Sequence, residues 1–373
     1  MQRIYLDYNA STPIGPTVRS AMAPFLDHGF GNPSSQHWAG KPARAAVEEA
    51  RAEVAALLGA ASDEIIFTSG GSEANNLALK GVASAHSEKG RHIITAMAEH
   101  PAIAAPCAYL EKMGFQITRV PVDAYCRVDP NDVARAMRPD TILVSVMHAN
   151  NEVGTINPIA EIARIAHANG TLMHTDAAQS VGKVETKVDV LGVDLLTIAG
   201  HKFGAPKGVG ALYARRGTPL EPLIHGAGHE SGRRAGTESA LLTVALGAAA
   251  RAASDLSGVG RVQQMRDRLW GSLQAHFGNR IALNGHPEQR LPNTANISFV
   301  GRVGADILAG LDGVAASTGS ACHSGHVELS PVLAAMGVSP EVGMGAIRFS
   351  LGRETTDEEI ERVVGALANT VRN

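Results

Sequence analysis

Three short segments set a chemical problem. In TIAGHKFGAPKGVGALYA, Lys202 closes an apolar run and opens a Gly/Pro-rich stretch. A lysine in such a place is ordinarily solvated; partly desolvated, its amine loses basicity and suits Schiff-base chemistry. Upstream, FTSGGSEANN leads an apolar run into a helical pattern through Gly70-Gly71, with Ser72 as the expected N-cap. Free N–H groups and the dipole at a helix start make an anion site, and glycines let a phosphate approach closely. In HTDAAQS, Asp176 ends another apolar run, where a buried carboxylate needs a partner. An aldehyde for the lysine, a phosphate for the glycine turn and a protonated ring nitrogen for the aspartate together describe pyridoxal 5'-phosphate.

A fourth segment, STGSACHSGH, places Cys322 among Ser, Gly and His rather than in an apolar setting. Chemistry rather than packing explains such a cysteine. A thiolate is the nucleophile, which calls for an electropositive, partly exposed position. Gly319 and Gly325 give the segment flexible backbone, His323 is a neighbour able to lower the thiol pKa, and mobility is expected across 317–329. Cys107 and Cys126 read as small packing residues.

The elements that must position these groups follow from periodicity. Apolar, β-rich runs at 64–69, 92–97, 118–122, 141–147, 171–176, 195–200 and 210–214 alternate with helical patterns. This predicts an α/β fold with a mostly parallel sheet, in which ligands bind beyond the carboxyl ends of the strands. The polar residues sit there: Gly71 and Ser72, Glu99-His100, Asn151, Asp176 and Gln179, and His201-Lys202. A helical region over 238–277 reads as a connector to a smaller α+β domain with strands near 294–300 and 346–352. A terminal helix follows, capped by Thr355 or Thr356.

Composition bounds the rest. The 373 residues, 45% apolar, can form one large domain and one smaller. A net charge of −3 gives no basic face for nucleic acid. Three cysteines without C-x-x-C spacing argue against a disulfide framework or a metal site. No leader-like or membrane-length apolar run is visible, so a soluble protein of the reducing cytoplasm is expected.

The strings YLDYNASTP, GNPSSQHWAG, FTSGGSEANN, AEHPA, ANNEVGTINPI, HTDAAQSVGK, GHKFGAPKGVGALY, RRAGTES, RLPNTANISF, STGSACHSG and IRFSLGRETTDEEI closely resemble the NifS/IscS-type cysteine desulfurases. The resemblance runs from residue 4 to about 370 and implies fold type I of the pyridoxal-phosphate enzymes (class V aminotransferase). It implies a seven-stranded sheet in a large domain at 15–255, a small domain at 256–373 carrying the Cys322 loop, and an arm at 1–14 joining the small domain.

It further implies roles. Lys202 would bind the cofactor aldehyde and carry the substrate Cα proton; His100 would lie over the ring as acid or base. Asp176 would hold the ring nitrogen, and Gln179 and Asn151 would bond around the ring oxygen and the substrate. Gly71, Ser72 and His201 would bind the phosphate, with Thr237 arriving from a second subunit of a homodimer. Arg353 would clamp the substrate carboxylate, with Asn32 as a further substrate contact. Cys322 would take sulfur from L-cysteine as a persulfide, release alanine and pass the sulfur to an acceptor protein such as an iron–sulfur scaffold. A selenocysteine lyase acting on L-selenocysteine is the alternative, and a transaminase or other lyase of the same fold the next.

The sequence departs from the family's pattern in three places. Ala199 stands where a phosphate-binding Ser is usual, and Gly204-Ala205 replaces an aromatic-Gly pair. ACHSGH followed by SPVL is similar to the loop of selenocysteine lyases, although Pro101 after His100 differs from the Asp of the animal lyases.

Overall fold

A computed structural model describes residues 3–318, 322–323 and 326–371. The chain begins with the short strand β1 (Ile4–Tyr5). A seven-stranded sheet follows from β2 (Ile65–Thr68), β3 (His92–Ala96), β4 (Gln116–Val120), β5 (Thr141–Ser145), β6 (Leu172–Asp176), β7 (Leu195–Ala199) and β8 (Gly210–Ala214). Its order is β2-β8-β7-β6-β5-β3-β4. Only β8 runs against its neighbours, pairing antiparallel with β2 and β7. The central strands β3, β5 and β7 are buried along their whole length, as a sheet with helices on both faces requires. The expected alternation of strands and helices is therefore the observed one.

One face packs against the helices Gly71–Ala85 and Pro101–Lys112 through Leu77, Leu79, Ile103 and Leu110. The other packs against helices that include Gly40–Leu58, Ile159–Ala168 and Ala240–Ala253. The helical region expected over 238–277 is divided. Ala240–Ala253 lies in the core of the large sheet, whereas Val259–Phe277 lies in a second core, with the break at 254–258. Asp255, Ser257 and Gly258 supply that break, since Asx turns and glycine compete with helix.

The second core surrounds a three-stranded antiparallel sheet built from β9 (Ile281–Asn284) and β10 (Thr294–Phe299), with a third strand introduced below. β1 joins this part of the molecule by pairing in parallel with β11 (Val314–Ala315), and Ile4 and Leu6 are buried in its core. β12 (Cys322–His323) pairs with β13 (His326–Val327). Residues 319–321 and 324–325 lie outside the described residues, as do the side chains of 322–323 and 326–327, and the mobility expected over 317–329 falls partly on them. β14 (Ala346–Ser350) completes the small sheet in the order β14-β10-β9. The terminal helix Asp357–Thr370 is capped by Thr356, whose hydroxyl takes the Glu359 N–H while Glu359 takes the Thr356 N–H. Among the described residues no helix is long and apolar enough to cross a membrane.

Candidate active site

Because β2, β3, β5, β6 and β7 share one sheet, the residues that follow them converge. They line a cavity of about 560 Å³ shared by Gly71, Ser72, His100, Asn151, Asp176, Gln179, His201 and Lys202. Eight of the twelve residues singled out in the sequence meet there.

Lys202 ends the turn after β7. Its Nζ donates to the carbonyls of Asn9 at 2.7 Å and Ala10 at 3.0 Å. Burial, reinforced by the charge of Arg348 and opposed by Asp176 and Asp7, lowers its pKa to about 8. The amine is thus far closer to its neutral, nucleophilic form than a solvated lysine. Asp176 closes β6 with its carboxylate buried; Asn75 Nδ2 donates to Oδ2 at 2.7 Å and the Ala178 N–H to Oδ1 at 2.9 Å. His100 caps the helix Pro101–Lys112: its Nδ1 accepts from Ala102 N at 3.0 Å, so a neutral ring carries its proton on Nε2. Burial lowers the His100 pKa, against the pull of Asp176 and with the push of Lys202. Burial also brings His201 down to about 4, helped by Lys202, Lys207 and His100.

Ser72 is not the N-cap. The helix starts at Gly71, and Gly70 occupies the cap at φ 149° and ψ −179°. That backbone region is open essentially to glycine alone, so the turn is set one residue earlier than the hydroxyl suggested. No side chain caps the helix, and Glu73 instead accepts the Ser69 N–H at 2.8 Å. The first-turn N–H groups are left for a ligand. The space in front of them is close-walled: a Cβ on Gly71 would lie 3.1 Å from the Cβ of Ala199, and one on Gly210 2.8 Å from Gly70 Cα. Uncapped N–H groups, the nearby Lys207, a low-pKa amine and a buried carboxylate fit the phosphate, aldehyde and ring nitrogen of pyridoxal phosphate.

Three expected residues, Asn32, Thr237 and Arg353, do not line this cavity. Asn32 turns its Oδ1 back onto the Ser34 N–H at 2.9 Å. Thr237 is exposed, on a loop held by Arg234, whose Nε donates to Glu73 Oε1 at 2.8 Å. The Cys322 side chain lies outside the described residues.

Arg353 is a correction. It is exposed beyond Gly352, its Nη2 donates to the Asp255 carbonyl, and it lines a smaller cavity on another side of Lys202 rather than the one shared with Asp176 and His100. The arginine of the cavity is Arg348, in the middle of β14. It is nearly buried; Nη1 donates to Asn151 O at 3.0 Å, Nη2 to Asp7 Oδ1 at 2.7 Å, and Nε has no partner among the described residues. The sequence held a signal for it: an arginine inside the apolar strand run AIRFSL must be paired or functional.

Sequence reasoning also missed Asn9, Asn75 and Lys183, and placed Glu99 beyond its strand without a role; all four contact or support the residues above.

The chain belongs to the aminotransferase class-V family, which it matches over residues 4–363. Within it the chain is a member of the cysteine desulfurases, enzymes that depend on pyridoxal phosphate. It is 49% identical to a protein named cysteine desulfurase IscS of Dictyoglomus turgidum, over 99% of this chain and 95% of that one. It is 46% identical to the protein of the same name from Methanosarcina thermophila, over 99% and 92% of the two chains. A solved NifS-like protein superposes with a TM-score of 0.94 at 36% identity over the whole of both chains.

Proposed function

We propose that this enzyme converts L-cysteine to L-alanine and keeps the sulfur on Cys322 as a persulfide. The observation that carries the reading is the meeting of Lys202, Asp176, His100 and Arg348 in one cavity, with the lysine pKa lowered to about 8. Bound pyridoxal phosphate supplies the electron sink that weakens the substrate Cα–H and Cβ–S bonds. Lys202 Nζ would hold its aldehyde and carry the substrate Cα proton. Asp176 holds the proton of the ring nitrogen, and Gln179 and Asn151 bond around the ring oxygen and the substrate. His100 Nε2 would exchange a proton with the bound substrate. Gly71, Ser72, His201 and Lys207 hold the phosphate. Arg348, rather than Arg353, takes the substrate carboxylate in its planar fork.

The thiolate of Cys322 attacks the substrate sulfur; an S–S bond forms as the Cβ–S bond breaks, and the carbon skeleton leaves as alanine once protonated. The net change, L-cysteine plus a thiol giving L-alanine plus a persulfide, balances without an external oxidant.

Residues 15–255 would hold the cofactor, 256–373 the thiol and the substrate clamp, with 1–14 joining the latter. A homodimer is supported by Thr237 on an exposed loop and by Phe30 and Trp38, 79% and 81% exposed. A cytoplasmic setting suits the free thiols of Cys107 and Cys126. The names of the relatives favour cysteine over selenocysteine and support an acceptor protein in iron–sulfur assembly. The test is alanine release from L-cysteine and from L-selenocysteine by the wild type and Cys322→Ala. Loss of the sulfur reaction in the variant is expected; undiminished sulfide production would remove Cys322 from the mechanism.

A further inference from the structure

Lys183, the last residue of HTDAAQSVGK, has no part in the chemistry above, yet it is half-buried with its amine turned onto residues of the cavity. Its Nζ donates to Gln179 Oε1 at 3.0 Å and to Asn9 Oδ1 at 3.1 Å. Gln179 Nε2 in turn donates to the Asn9 backbone carbonyl at 2.9 Å, which closes a ring through three residues. Lys202 Nζ hangs from that same Asn9 carbonyl at 2.7 Å. Asn9 is 1% exposed and Gln179 4%. A separate, largely apolar cavity of about 210 Å³, walled by Tyr8, Val181 and Leu351, lies on another side of the amine.

No carboxylate pairs with Lys183 among the ion pairs of the described residues, and the charged groups that act on it, Lys202 and Arg348, are cations. Burying an amine in such company is costly, and a methionine of equal length would fill the space at less cost. What methionine could not do is donate. With Lys183 donating to Oε1 and the Asn9 carbonyl accepting from Nε2, both contacts fix the same orientation of the Gln179 amide. One Nε2 proton is left for the cavity that Gln179 lines.

We infer that Lys183 is a positioning residue: it holds the Gln179 amide with its donor toward the cofactor ring and steadies the Asn9 carbonyl that holds Lys202. The inference rests on the reading that Gln179 faces the bound cofactor. Burial, with Lys202 and Arg348 adding to it, lowers the Lys183 pKa to about 7, in keeping with an amine whose acceptors among the described residues are these two.

The test uses the full chain loaded with pyridoxal phosphate, and its variants Lys183→Met, Lys183→Gln, Gln179→Leu and Lys183→Met/Gln179→Leu. The readouts are the pH titration of the cofactor's visible absorption and its dissociation constant, with thermal melting as the folding control. Lys183→Met is expected to move the titration midpoint by about half a unit or more and to weaken cofactor binding about tenfold, the effect of one lost hydrogen bond to a charged group. Lys183→Gln, which can still donate to Oε1, is expected to restore the wild-type titration. In the Gln179→Leu background the Lys183→Met effect is expected to vanish. If Gln179→Leu moves the spectrum and Lys183→Met does not, the inference is overturned and the site reading stands. If neither moves it, Gln179 does not face the ring and both fail.

Discussion

Arg348 and Asp7, 341 positions apart in sequence, are joined by a 2.7 Å hydrogen bond from Nη2 to Oδ1. Asp7 Oδ2 also accepts from Ser317 Oγ at 2.9 Å, and Ser317 pairs with Arg348 through the backbone at 2.7 Å. One carboxylate thus orients the cavity's arginine and ties down the residue from which the Cys322 segment departs. Asp7→Asn is expected to raise KM for L-cysteine about tenfold with a smaller change in kcat, as loss of one charge-assisted hydrogen bond requires. Steady-state alanine release measures it; an unchanged KM would detach Asp7 from substrate binding.

The two arginines separate cleanly. Arg348→Lys removes a planar fork that a point charge does not replace, and KM for L-cysteine is expected to rise by at least about tenfold. Arg353→Lys, altering a side chain turned toward Asp255, is expected to leave KM within about twofold. The reverse pattern would restore Arg353 to the site.

Cofactor loading carries a pH signature. The neutral amine is the nucleophile, and the Lys202 pKa is lowered to about 8, chiefly by burial. Below that value the neutral fraction gains about a factor of ten per pH unit, and above it little remains to gain. The initial rate at which cofactor-free protein takes up pyridoxal phosphate is therefore expected to climb and level off near pH 8. A rate that keeps climbing toward pH 10 would mean a solvated amine.

Glu99 makes a stability prediction of opposite sign. Burial raises its carboxyl to about 8, with Asp176 adding to the shift and the Met147 and Ala96 backbone groups opposing it; Oε2 has no partner among the described residues. The folded state binds a proton that the unfolded chain has already lost, so stability falls as pH rises from about 4.5 to about 8. Glu99→Gln keeps the shape without the charge. Its melting temperature relative to wild type is expected to rise steadily from pH 5 to pH 8; a constant difference would mean that Glu99 titrates normally.

Ala199 offers a gain of function. It lines the cavity beside Gly71, where the family commonly has Ser. Ala199→Ser is expected to tighten pyridoxal phosphate binding by about threefold to tenfold, the worth of one hydrogen bond to an anion. Equal affinity in equilibrium dialysis would show that Lys207 and the helix N–H groups already satisfy the phosphate.

Much of this was legible in the sequence because the large sheet is built from local patterns. Each strand run ends at a polar residue, and the parallel topology brings those ends together, so Lys202, Asp176 and His100 could be placed without coordinates. What stayed hidden depends on contacts between distant segments. Asn9 sits in a polar stretch with no periodic signal, yet its carbonyl and side chain serve Lys202, Gln179 and Lys183. The resemblance points to Arg353 in SLGR, whereas the arginine of the cavity is Arg348, inside β14 of the small sheet, where a residue within a strand rather than beyond its end reaches the site. Ser72 lost the cap to Gly70 because a φ of 149° decided the turn before the hydroxyl could.

The central claim is that Lys202 alone carries the cofactor, and its competitor is near: Lys183, with a pKa of about 7, is the more easily neutralised amine, but it donates to Asn9 and Gln179 and does not line the large cavity. Reduction of the loaded protein with borohydride, followed by peptide mass mapping, decides between them. One pyridoxyl group per chain on the peptide containing Lys202 is expected. A group on Lys183 or Lys207, or none, would contradict the account.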